Sequence, residues 1–205
     1  MDLPRLCIER EAQELGWFPV TTRAIGRRFT LLLAASALTG APATIAAQVS
    51  REYEIKAAFL YKFTQFVEWP AEAIPAASST INICVLGEDP FGRTLESIMD
   101  KIVGGRKLTI RRLTQLEGGP SCHVLFISSS ERKRMKEVVT SLGTSSVLTV
   151  GDMDRFAELG GMINLVTEQN RVRFDINVEA AEHARLKLDS RLLNLARVIH
   201  SAPSS

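Results

Sequence analysis

Three short apolar runs constrain this chain most. Residues 81–86 (Ile-Asn-Ile-Cys-Val-Leu), 124–127 (Val-Leu-Phe-Ile) and 147–150 (Val-Leu-Thr-Val) are strand-length and end at Gly87, Ser128 and Gly151. Strands covered on both faces read as near-continuous apolar runs rather than as alternation. The segments between them carry the helical period. Residues 90–103 place Leu95, Ile98, Met99 and Ile102 on one face, and residues 131–142 follow Ser129 or Ser130 as a cap. Residues 107–113 alternate as a further strand, with Leu108, Ile110 and Arg112 on one side. Residues 153–159 read as a short helix broken by Gly160-Gly161. The rhythm then changes: residues 162–166 and 171–176 flank 167–170 as a hairpin, and residues 178–185 and 190–199 read as two last helices. Strand–helix alternation closed by a hairpin predicts an α/β fold, a single three-layer domain with a mainly parallel sheet and an antiparallel edge hairpin.

Ahead of the first run, residues 51–70 predict an aromatic-rich amphipathic helix. Phe59, Phe63, Phe66 and Val67 recur at helical spacing beside Ile55 and Leu60, while Lys56, Lys62 and Glu68 interrupt the pattern. Pro70 disfavours helical geometry at Trp69, so the helix is expected to stop there.

The N-terminal part reads as an export signal. Arg27 and Arg28 precede an apolar stretch, residues 29–38, and small residues up to Ala46-Ala47. That core is too short to span a bilayer, which takes about 20 residues. Residues 1–22 carry Asp2, Glu9, Glu11 and Glu14 and suit such a signal poorly. The expected division is residues 1–47 as extension and signal peptide, 48–200 as one periplasmic domain, and 201–205 as a disordered tail. Cys7 would leave with the signal, so two of three cysteines remain, Cys84 and Cys122. An even count in an oxidising compartment favours one disulfide, within reach on neighbouring strands if the side chains face each other. The alternative is two buried free thiols. A metal site lacks a second Cys or His at ligand spacing. The formal net charge of +2 argues against a nucleic-acid binder.

No catalytic constellation stands out. Gly87-Glu88-Asp89-Pro90-Phe91-Gly92 follows a strand, but its glycine spacing and two carboxylates do not make a dinucleotide fingerprint. Glu88-Asp89 resembles the acid pair of a phospho-receiver, yet the central run leads to Ser128-Ser129-Ser130, where an Asp would have to accept phosphate. Those serines also lack the glycine frame of a nucleophile elbow. His123, His183 and His200 have no patterned acidic partner, and Asp152 and Asp154, after a strand end, are explained by turn chemistry as well as by ligand contact.

Several segments, taken in order, carry a resemblance. They are Val67-Glu68-Trp69-Pro70; Ile83-Cys84-Val85-Leu86-Gly87 with Pro90-Phe91; Cys122-His123-Val124-Leu125-Phe126-Ile127-Ser128; Val147-Leu148-Thr149-Val150-Gly151-Asp152; Gly160-Gly161-Met162-Ile163; Val172-Arg173-Phe174-Asp175-Ile176-Asn177; and Leu192-Leu193-Asn194-Leu195-Ala196. As an ordered set they resemble the YfiR family. The resemblance implies a periplasmic α/β domain, often a homodimer, with no enzymatic activity and no cofactor. It implies a regulator that binds and represses the periplasmic part of an inner-membrane diguanylate cyclase, and so lowers cyclic di-GMP and biofilm formation. An outer-membrane lipoprotein would sequester it. Cys84 and Cys122 match one cysteine pair of the family, whereas Thr149 and Phe156 stand near where some members carry a second pair. A ligand or partner site is implied around Glu68, Trp69, Arg173, Arg185 and Lys187. The plainer reading makes Trp69 a core anchor and the basic residues solvated surface. The alternative function is a periplasmic small-ligand-binding sensor module for a histidine kinase or transporter. An unrecognised enzyme is a third, which an exposed, mutually hydrogen-bonded acid and histidine in a cleft would favour.

Overall fold

The computed structural model describes residues 43–116 and 122–200. The expected export signal (apart from its last residues, which open the first helix), the turn that the sequence predicts at Gly118-Gly119-Pro120 and the tail 201–205 lie outside the described residues. Helix α1 spans Ala43–Phe66. Strands follow at Val67–Glu68 (β1), Thr80–Leu86 (β2), Ile102–Val103 (β3), Arg106–Leu113 (β4) and Val124–Ile127 (β5). Helix α2 is Met135–Leu142, followed by β6 (Leu148–Gly151), β7 (Ile163–Glu168) and β8 (Arg171–Asn177). The described residues close with α3 (Val178–His183), β9 (Lys187–Leu188), α4 (Ser190–Leu193) and β10 (Arg197–Ile199).

Eight strands form one sheet in the order β10-β8-β7-β6-β5-β2-β4-β3, and β1 and β9 form a separate two-stranded ribbon. The α/β class and the mainly parallel sheet stand as expected, with β5 and β6 central. Residues alternate between the two faces of a strand, and the two halves of the core sort by that rule. Ile81, Ile83, Val85, Val124 and Phe126 face the layer of α1. Cys84, Leu86, Leu125 and Ile127 face that of α2. Phe63 and Phe126 on the first side and Phe156 on the second are fully buried, each contributing about 1.5–3 kcal/mol by area. The hairpin β7–β8 turns through Gln169 (φ 49) and Asn170 (φ 61), the left-handed pair that suits the twist of a two-residue loop.

Four segments depart from the sequence reading. Residues 90–103 are not an α-helix: Asp89 accepts a hydrogen bond from the Phe91 N–H (2.8 Å), a 3₁₀ turn covers Gly92–Ser97, and Asp100 (φ 66) reverses the chain. Ile102–Val103 is then captured as a hairpin strand by β4 across Gly104-Gly105, leaving Met99 and Ile102 exposed rather than on a buried face. Residues 153–159 are a run of turns wound around Phe156, whose ring lies where a Cβ on Gly151 or Gly161 would fall. The last helix shrinks to α4, and Arg197–Ile199 leaves it to pair in parallel with β8. A two-pronged ion pair holds that strand, Arg197 Nε to Asp175 Oδ1 at 2.8 Å and Nη2 to Oδ2 at 3.0 Å. The β7–β8 hairpin thus lies one strand in from the edge. Finally, Ser128 rather than Ser129 or Ser130 is the capping serine, for a 3₁₀ turn at Ser129–Glu131 ahead of α2.

Candidate functional site

The end of α1 is built into a corner. Three residues before Trp69, the helix stops at Phe66, and Val67–Glu68 pairs antiparallel with Lys187–Leu188, with Val67 opposite Leu188 and Glu68 opposite Lys187. The Asp189 N–H donates to the Phe66 carbonyl (2.9 Å). Asp189 caps α4 by accepting from the Arg191 N–H (2.8 Å), and its carboxylate holds the Arg191 guanidinium (Nη2 to Oδ2 2.7 Å, Nε to Oδ1 3.0 Å). Hydrogen bonds from Arg191 pull the Asp189 carboxyl down to about 2. The guanidinium lies 5.0 Å from the centre of the Phe66 ring, a cation–π distance. Trp69 is half-buried against the core, and its indole N–H is buried with no acceptor among the described residues.

The aromatic face of α1 is graded. Phe63 is buried and stacks on Phe59 (5.8 Å between centroids), both edge-on to Phe174 at 5.4 Å, whereas Phe59 and Phe66 stay half-buried. Of the five residues expected at a site, Glu68, Trp69 and Lys187 come together here. Arg185, left-handed at φ 58, turns the chain from α3 towards β9. Arg173 does not join them. Its neighbour Phe174 faces α1, so Arg173 points from the other face of β8, opposite Val166. Sequence reasoning missed Asp189 and Arg191; the Asp-Ser-Arg run after Leu188 was the available cap signal.

The usual ligand crevice of an open α/β sheet lies beyond the strand ends where the chain order reverses, here between β2 and β5. This protein fills it with its own side chains. Ser130 Oγ accepts from the Glu88 N–H (3.0 Å), and a Cβ on Gly87 would meet Ser130 Oγ and come within 2.9 Å of Glu131. Asp89 is paired with Arg112 (2.7 Å). His123 is a framework residue: its Nδ1 accepts from the Asn82 N–H (2.9 Å), and burial lowers its pKa. His200 does meet Glu179 (3.0 Å), and both side chains are more than half exposed, as an acid–histidine pair of that kind requires. Glu179 and His183 line a cleft of about 420 Å³ between α2 and α3, of which His200 is not a wall. Among the described residues no group of three or more His, Cys, Asp or Glu could hold a metal ion, and no helix is long and apolar enough to cross a membrane.

Two further features lie off the corner. Cys84 and Cys122 form a disulfide, with Cα atoms 5.8 Å apart, inside the α2-side core. Lys56, which interrupts the apolar pattern of α1, is buried. Its ammonium contacts Asp152 Oδ2 (2.7 Å) and Glu52 Oε1 (2.6 Å), and Asp152 also accepts from the Tyr53 hydroxyl (2.8 Å). Burial and the Asp152 carboxylate push the Tyr53 hydroxyl upward. Glu52 accepts in turn from Thr167 (2.8 Å), so the network ties α1 to the ends of β6 and β7.

The sequence profile of the YfiR/HmsC-like family matches residues 53–197, from the Tyr53 of this network to the Arg197 of β10. The chain belongs to that family. YfiR/HmsC-like proteins are periplasmic and regulatory rather than catalytic, which makes this chain a periplasmic regulator of the cyclic di-GMP pathway in general. A disulfide buried in the core suits that oxidising compartment.

Proposed function

We propose that this protein binds the periplasmic part of an inner-membrane diguanylate cyclase and holds it inactive, lowering cyclic di-GMP. Membership of the YfiR/HmsC-like family is the observation that carries the reading. The corner at the end of α1 is the partner surface. Binding energy concentrates on aromatic and Arg side chains inside a polar rim. Phe66 under Arg191 and Trp69 with an unpartnered N–H, bordered by Glu68 and Lys187, fit that anatomy. Repression requires unequal affinity for two cyclase states. Moving the enzyme from almost wholly active to almost wholly inactive takes about a 10⁴-fold preference. An outer-membrane lipoprotein covering the same corner would release the cyclase by competition. The sensor reading draws on one other observation, the polar cleft at the end of β6.

The test is calorimetric titration of the purified protein with the cyclase's periplasmic domain, with Trp69→Ala alongside. The reading expects micromolar or tighter binding that Trp69→Ala weakens by about tenfold or more. Binding that Trp69→Ala leaves unchanged would move the partner surface elsewhere, and no binding would remove the cyclase as partner.

A further inference from the structure

Two buried oxygens at the end of β6 have no hydrogen-bond donor among the described residues. The side chain of Asp152 is 3% exposed; its Oδ2 takes the Tyr53 and Lys56 protons, but its Oδ1 is buried without a partner. Asn164 on β7 stands opposite Gly151 in the register, is 6% exposed, and its Oδ1 is also buried and unpartnered. Buried acceptors are almost always paired, and two on adjacent strands call for an explanation. Both residues line one open cleft of about 210 Å³.

The rest of that wall sets the chemistry. Glu52, Asp152 and Asp154 share the wall with one cation, Lys56, and Asp154 also reaches Arg132 outside it (3.3 Å), so the lining itself is net negative. Two of its donors are already directed at its carboxylates, Lys56 at Asp152 and Glu52 and the Thr167 hydroxyl at Glu52, which leaves the Asn164 amide N–H2 as the wall's other side-chain donor. Met153, Leu165 and Val166 add apolar surface. The wall therefore suits a positively charged donor with a short carbon stem. A bare metal ion suits it less, because no group of three or more His, Cys, Asp or Glu that could hold one occurs among the described residues. We propose that this cleft binds a small primary ammonium compound whose N–H groups complete Asp152 Oδ1 and Asn164 Oδ1. The site is separate from the Trp69 corner and independent of the partner reading.

Nuclear magnetic resonance titration of the purified protein tests it, with methylammonium and ethanolamine as ligands and tetramethylammonium, which has the charge but no N–H, as the control. Expected are saturable shifts at Asp152, Asn164 and their neighbours with the two amines and none with tetramethylammonium. Asn164→Leu, at a residue whose side-chain oxygen has no partner among the described residues, weakens binding about tenfold or more by removing an acceptor for a charged donor, and Asn164→Asp strengthens it. The proposal is overturned by an absence of saturable shifts at about ten times a millimolar Kd. It is overturned equally by the same response to tetramethylammonium, or by a crystal structure grown with the amine that places only ordered water on both oxygens. The comparison of the three cations uses the unaltered protein, so it decides the matter even where a variant fails to fold.

Discussion

Reducing the Cys84–Cys122 bridge measures how far this fold depends on its compartment. The bridge closes a loop of 38 residues. In the chain-entropy model a loop of that length restricts the unfolded chain by roughly 4 kcal/mol at room temperature. Cys84 is fully buried and Cys122 is 5% exposed, in a core shared with Leu86, Leu125, Met135 and Phe156. Two reduced thiols keep almost the same packing there, so the loss acts mainly through the unfolded state. Against the usual 5–15 kcal/mol of a domain, about 4 kcal/mol is a large share. It corresponds to roughly 8–16 °C in Tm for a domain of this size. The assay is urea denaturation, followed by circular dichroism, with and without reductant. A Cys84→Ala/Cys122→Ala variant run in parallel should be insensitive to reductant. A loss under about 1 kcal/mol would refute the reasoning, as would an equal loss when reductant is added to the variant.

Other sites give further expected outcomes. Lys56→Met leaves Asp152 buried with only the Tyr53 hydroxyl and should cost about 3–5 kcal/mol in urea denaturation, with part recovered by adding Asp152→Asn; a cost near zero would place the ion pair in water. Burial lowers the folded pKa of His123 below the ordinary value near 6.5. The unfolded chain therefore takes the proton first. The contribution is fully present above about pH 6.5 and is lost as pH falls from there towards the folded pKa. Urea midpoints across that range should fall in the wild type and fall less in His123→Gln; equal slopes would contradict this. Gly161→Ala puts a Cβ into the Phe156 ring, 2.6 Å from Cζ, and should cost about 1–3 kcal/mol, eased by Phe156→Leu. An unchanged Tm would mean that the turns 153–159 give way freely.

The centre of the sheet was legible because β2, β5 and β6 are buried on both faces. The runs ending at Leu86, Ile127 and Val150 leave little alternative, and Gln169-Asn170 marks the hairpin. What misled were apolar residues at helical spacing in segments decided by tertiary partners. Ile102 follows the helical period with Leu95 and Ile98, yet β4 offers it a ladder; Arg197 belongs to a helical pattern until Asp175, 22 positions earlier, holds it in a strand. The corner was legible only in part. Trp69-Pro70 announced the helix end, but nothing local says that Lys187 returns to face Glu68 or that Arg173 points away. The network at the end of β6 was illegible: Lys56 reads as a flaw in an apolar face until Asp152, 96 residues later, is placed against it.

Affinity for the cyclase's periplasmic domain, measured with the cyclase's output in the same preparation, tests the central claim most directly. Adding this protein should lower cyclic di-GMP synthesis by the membrane-embedded cyclase along a saturation curve that matches binding. Trp69→Ala should shift both curves together by about tenfold or more. Binding without a fall in synthesis, or a fall in synthesis without binding, would contradict the account.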